Sequence, residues 1–238
     1  MQCARQLLTA ASAGALVVLA TVPVQAEANK RVALWRMNES ATATVMIDSS
    51  ANHLDGTIGD EVRTGLRING GTGYGFPYLR PNTPPAHPEH LVKVPDDPRL
   101  DPGTRDFAIT MRLRTTEAFG NIIQKGQSRS PGGYFKWQLP KGVVKCLFRG
   151  SAGTVTAGSV TPINDGQWHT VRCERTATAV TMTVDGEVTR RKSGATGNIA
   201  NSKPLSIGGK VACDQVDVTC DYWVGRIDWV KIQASAPS

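Results

Sequence analysis

Asn164-Asp165-Gly166-Gln167-Trp168-His169-Thr170-Val171-Arg172-Cys173-Glu174-Arg175, continued by Thr176-Ala177-Thr178-Ala179-Val180-Thr181-Met182-Thr183-Val184-Asp185-Gly186, is the stretch that decides how this chain folds. His169, Val171 and Cys173 alternate with Thr170, Arg172 and Glu174, and after a turn of small residues Val180, Met182 and Val184 alternate with Thr181, Thr183 and Asp185. A period of two means two strands, each with one face turned to a core. Asn164-Asp165-Gly166 punctuates the start, and Asp185-Gly186 opens a tight turn into a third strand from Glu187 to Arg190, because these residue types accept positive φ cheaply. Trp168 at the strand entrance is expected to be buried between two sheets, its indole N–H seeking an acceptor, and His169 is expected to be a strand-end residue.

Working outward, the same alternation recurs. Phe107, Ile109, Met111 and Leu113 point one way and Ala108, Thr110, Arg112 and Arg114 the other. Val32 to Met37, Tyr134 to Leu139 and Val143 to Arg149 alternate too, with turn residues between them. From Phe76 to Pro102 eight prolines exclude helix and central strand, leaving a long surface loop with one short strand at Leu91-Val92-Lys93-Val94. No segment beyond the first residues sustains a 3.6-residue apolar period. The class is therefore all-β, many short antiparallel strands in a sandwich or jelly roll.

The ends and the composition set the context. Arg5, the apolar run from Leu7 to Ala20 and Val24-Gln25-Ala26 have the form of a secretory leader, which makes residues 1–26 a signal segment and 27–238 a single exported domain. No second run approaches membrane length. Of five cysteines, Cys3 leaves with the leader, and Cys146, Cys173, Cys213 and Cys220 remain for an oxidising compartment. Four cysteines permit three pairings. The expected pair is Cys146 with Cys173, because both fall on inward faces, and Cys213 with Cys220, because they close a short loop. The formal charge of +7 is scattered through strands and turns, which reads first as a solvated surface, and a basic exterior also favours anionic partners such as wall polymers or acidic polysaccharides. Neither a nucleic-acid motif nor an aromatic platform interleaved with basic residues is present, so nucleic acid is excluded as a partner.

Asp165-Gly166-Gln167-Trp168-His169, Val180 to Gly186, Asp106-Phe107-Ala108-Ile109-Thr110, Leu205-Ser206-Ile207-Gly208-Gly209 and Gly225-Arg226-Ile227-Asp228-Trp229-Val230-Lys231-Ile232, in that ordered set, resemble the strands of laminin-G-like domains. These belong to the concanavalin-A-like lectin/glucanase superfamily. The resemblance covers about Val32 to Ile232 and implies a two-sheet antiparallel jelly roll. The glucanases of that superfamily carry paired carboxylates as Glu-x-Asp-x-x-Glu, since glycoside hydrolysis needs an acid and a base or nucleophile. This chain has no such run, no Gly-x-Ser-x-Gly elbow and no His-Glu-x-x-His.

The resulting expectation is a secreted, monomeric, non-enzymatic module. It binds an extracellular carbohydrate, or alternatively an extracellular protein as an adhesive or structural module, with a polysaccharide-active enzyme as the weakest reading. Tyr78, Tyr134, Lys136, Trp137 and Tyr222 are the expected ligand-contacting residues, because sugars stack on flat aromatic faces. The resemblance also implies one structural calcium ion where the first loop meets the last strand. Asp48, with Asn52 and Asp228, would hold it, although Ala51 stands where related loops carry glycine.

Overall fold

The computed structural model describes residues 30–68, 70–78, 88–212 and 221–236. Its strands, in chain order, are β1 (Lys30–Trp35), β2 (Val45–Met46), β3 (Gly56–Ile58), β4 (Arg63–Ile68), β5 (Gly71–Phe76), β6 (Val92–Val94), β7 (Phe107–Arg114) and β8 (Asn121–Lys125). The second half adds β9 (Tyr134–Gln138), β10 (Lys145–Gly150), β11 (Gly153–Gly158), β12 (His169–Arg175), β13 (Ala179–Val184), β14 (Glu187–Ser193), β15 (Leu205–Ile207) and β16 (Gly225–Ala234). Helical structure among the described residues is confined to single 3-10 turns, such as Pro98–Leu100, which Asp97 caps by accepting from the Arg99 N–H.

Two antiparallel sheets face each other. The first runs β14-β13-β12-β7-β16-β5-β4, with β1 also paired to β16, and the second runs β11-β10-β9-β8-β15-β6-β3-β2. The jelly-roll sandwich expected from the alternation is the fold observed. The β12–β13–β14 meander read from the central stretch lies at one margin of the first sheet, with Val171 opposite Val184 and Cys173 opposite Met182. The short strand expected at 91–94 is β6.

The inward residues of both sheets make one core. Ile109, Met111, Val171, Val180, Ile227, Val230 and Ile232 come from the first sheet, and Ile123, Phe135, Trp137, Phe148 and Ile207 from the second. Phe107 crosses the gap to Phe135 at 5.6 Å between ring centroids. Cys146 on β10 and Cys173 on β12 form a disulfide between the two sheets, with 6.4 Å between their Cα atoms. The expected pair is thus present, joining facing sheets rather than neighbouring positions of one. Closing that 27-residue separation restricts the unfolded chain by about 3.5 kcal/mol in the chain-entropy model. Cys213 and Cys220, and the leader with its boundary at residue 27, lie outside the described residues.

Lys125 and Arg175 are fully buried, and each is met by several acceptors. Lys125 reaches Asp101 at 2.6 Å and Asp96 at 2.8 Å. Arg175 donates to Thr196 Oγ1 and to the carbonyls of Gly103, Arg105 and Gly197. Both tie loops at the margin of the sandwich to its strands, Lys125 from β8 and Arg175 from β12.

Candidate binding face

Strand β16 departs from strict alternation at one point. Ile227 pairs with Leu113 and Trp229 with Arg112, so Asp228 is an extra residue opposite β7. A β-bulge of this kind bends the strand and re-aims side chains. Here Ile227 and Val230 both turn inward while Asp228 and Trp229 between them are only half-buried. Strand β5 crosses close beside the bulge: a Cβ on Gly73 would stand 2.6 Å from the Ile227 carbonyl oxygen, so glycine is needed there. The hairpin turn next to it bears Gly70 and Gly71, whose missing side chains would point into open space.

The result is a surface depression of about 410 Å³ lined by Leu34, Arg36, Asn38, Gly70, Gly71, Thr72, Asp228, Trp229 and Lys231. From it a polar row crosses the sheet. Lys231 on β16 is opposite Thr110 on β7, which is opposite Arg172 on β12, which is opposite Thr183 on β13. Arg172 donates to Thr110 Oγ1 and Gln233 Oε1 at 3.2 Å and to Glu174 at 2.9 Å. Burial, and then the neighbouring positive charges of Arg172 and Arg31, hold the Lys231 ammonium below the ordinary lysine range. The face therefore concentrates cations.

Arg112 links this depression to the hairpin entrance. One guanidinium nitrogen lies 2.5 Å from Asp228 Oδ2, and the guanidinium carbon sits 4.7 Å from the centre of the Trp168 ring. Trp168 is thus half-buried on the outer face and is not between the sheets, which corrects the expectation for it. Neither Trp168 nor Trp229 was among the residues expected to meet a ligand.

Those expected residues are scattered. Trp137 is fully buried beside Phe135 and the other inward residues of the second sheet, and Tyr134 and Tyr222 are each 6 % exposed. Tyr222 packs on the His90 ring at 5.0 Å. The exposure expected of these three rings is absent, because the core and the loops above it cover them. Lys136 is half-buried on β9, in the second sheet, and Tyr78 is 60 % exposed but does not line the depression.

The three residues expected to hold calcium do not fit that ion as they are placed. Asp48 is 2 % exposed, and its carboxylate accepts from the N–H groups of Leu34, Ser50 and Leu54 and from the Ser50 hydroxyl. Burial opposes its charge, but those four bonds outweigh it and hold the carboxyl below the usual range. Asn52 donates to the Val32 carbonyl and accepts from Arg99, and Asp228 is bonded to Arg112. Calcium needs six to eight oxygen atoms turned towards it, and these oxygens are turned to protein donors. Among the described residues no group of three or more His, Cys, Asp or Glu is arranged to hold a metal ion.

Fold and face together define a two-sheet jelly roll with an open polar surface on one sheet. The laminin G domain model matches residues 113–233, and the chain belongs to that family. No curated protein sequence matches it significantly. Among solved structures it is similar to domain 4 of a GH43 extracellular arabinanase from Geobacillus stearothermophilus, solved with arabinotriose. The identity is 14 %, the match covers 88 % of this chain and 94 % of that one, and the TM-score is 0.61. It is also similar to the binding domain of botulinum neurotoxin DC in complex with rat synaptotagmin II, at 12 % identity, covering 87 % and 49 %, with a TM-score of 0.62. Domains LG4-5 of the mouse laminin alpha1 chain match at 20 % identity over 56 % and 37 %, with a TM-score of 0.48. The chain spans half or less of the laminin and toxin chains it matches. No helix among the described residues is long and apolar enough to cross a membrane.

Proposed function

We propose that this chain is an exported, non-catalytic binding module that holds an extracellular glycan on the outer face of its first sheet, with Trp229 as the stacking floor. The observation that carries this reading is the half-buried Trp229 indole beside a depression whose rim mixes Arg36 and Lys231 with Asn38 and Asp228. Sugar recognition needs such a ring together with a few directed polar groups. The arabinanase domain, which matches nearly end to end and was solved with arabinotriose, supports the choice of an oligosaccharide. The excess of cations around Lys231 favours glycans that carry carboxylate or other anionic groups. Among the described residues Asp228 is the only acid lining the depression, and it is bonded to Arg112, so no pair of carboxylates of the kind glycoside hydrolysis requires is found there among them. Export rests on the leader pattern of residues 1–26.

A protein ligand is the second reading, favoured by the toxin domain solved with synaptotagmin II. A glycan array and a cell-wall polysaccharide pull-down with the purified mature protein separate the two. Retention of a glycan by the wild type, lost in Trp229→Ala and kept in Tyr78→Ala, is expected. No retention across both panels overturns the glycan reading.

A further inference from the structure

His169, at the entrance to β12, lies between two carboxylates. Its Nδ1 is 2.7 Å from Asp185 Oδ2 and its Nε2 is 3.1 Å from Asp165 Oδ1. Asp185 is fixed by the hairpin backbone: its Oδ1 accepts from the Thr170 N–H, and its own N–H donates to the Thr170 carbonyl. Asp165 stands on the turn before the strand, where it also accepts from the Gln167 N–H. Both contacts are hydrogen bonds only when the imidazole carries two protons. A neutral ring has one N–H and one lone pair, so it keeps one carboxylate and turns a lone pair on the other. The Asp185 contact is the shorter and is backed by the backbone, so Asp165 is the one released.

The released turn carries Trp168, the ring that underlies Arg112, and Arg112 in turn holds Asp228 on the rim of the depression. We propose that His169 is a pH-operated latch on the binding face: as an imidazolium it bonds both Asp165 and Asp185 and holds Trp168 beneath Arg112, and as a neutral ring it lets the turn before β12 and Trp168 loosen, which reshapes the rim at Asp228. The last step concerns the site of the glycan reading and rests on it; the latch itself does not.

The charged groups acting on His169 are few. Asp185 faces it from the β13–β14 turn and Asp165 from the preceding turn. On β7 the residue opposite is Leu113, flanked by Arg112, which is bonded to Asp228, and by Arg114. Burial opposes the ring's charge, but the bonds from Asp185 and then Asp165 outweigh it, so the ring titrates above the ordinary histidine value. The ring's contribution is complete below the unfolded value of about 6.5 and is lost as pH rises through the higher folded value. The latch therefore opens on the alkaline side.

The test is an NMR titration of the purified mature protein at fixed ionic strength from about pH 5 to about pH 9, a span that brackets histidine titration. It follows the His169 ring and the indole N–H groups of Trp168 and Trp229. We expect His169 and Trp168 to titrate with one midpoint above 6.5, with a smaller shift of Trp229 at the same midpoint. In Asp165→Asn the His169 midpoint falls towards the ordinary value and Trp168 no longer follows it. A Trp168 signal that stays put while wild-type His169 titrates overturns the latch. Trp168 moving with His169 while Trp229 stays fixed overturns its connection to the depression. The wild-type titration decides both points even where the variant does not fold. No glycan enters the measurement, so a failed glycan array and a failed latch are separate results.

Discussion

Asp48 accepts four hydrogen bonds from Leu34, Ser50 and Leu54 at 2 % exposure, whereas Asp228 accepts from Arg112 on the rim of an open depression. The first carboxylate closes a loop onto β1: its donors are three backbone N–H groups and the Ser50 hydroxyl, so its chemistry is spent on the fold. The second is balanced by a side chain that itself rests on an indole, and every member of that set is reachable from solvent. A carboxylate saturated by buried backbone holds a structure together, while one paired with a surface guanidinium is available for exchange with a ligand.

Substitution separates the two most sharply. Asp48→Ala strands the Leu34 and Leu54 N–H groups and is expected to lower stability by about 3 kcal/mol in denaturant unfolding. Asp228→Ala breaks a half-exposed ion pair and is expected to cost under about 1 kcal/mol. Equal losses would remove the distinction. The difference also has a pH signature. Because the folded Asp48 carboxyl titrates below its unfolded value of about 3.9, its contribution is present above that pH and lost as pH falls through the folded value. Asp48→Asn should flatten this acid limb of the stability curve, and Asp228→Asn should leave it in place.

On the binding side the order reverses. Trp229→Ala is expected to weaken a retained glycan about 10- to 100-fold, the usual worth of a central aromatic contact, while moving stability by about 1 kcal/mol or less. The smallest expected effect is that of calcium. With Asp48, Asn52 and Asp228 turned to protein donors, the thermal midpoint should not change between added calcium and chelator. A clear rise would return an ion to this region.

The parts of this molecule that sequence makes legible are those governed by local alternation. Val171 and Cys173 against Val180 and Met182 specify the hairpin, and inward Cys146 and Cys173 specify the bridge, because a period of two assigns faces without knowledge of what lies opposite. The same parity, continued backwards from Arg172 and Thr170, places Trp168 on the outer face. Its large apolar ring argues for burial, but packing beneath Arg112 satisfies it at the surface. Ile227 and Val230, three apart and both apolar, are the trace that the bulge leaves in the sequence. Which strand it faces, and hence that Trp229 floors a depression, depends on β1, β5 and β7, which are distant in the chain. Tyr134 and Tyr222 were illegible for a like reason: a ring on a strand or loop is covered or open according to neighbours such as His90 that no pattern near it announces.

The central claim is that ligand contact is made at Trp229. Adding the glycan retained in the array to ¹⁵N-labelled protein, and following backbone and indole N–H signals, tests it directly. The account predicts that the Trp229 indole, the Lys231 amide and the Gly70–Gly71 turn shift together and saturably, while the buried Trp137 indole stays in place. Shifts centred on Tyr78, or on Lys136 in the second sheet, with Trp229 unmoved, would contradict it.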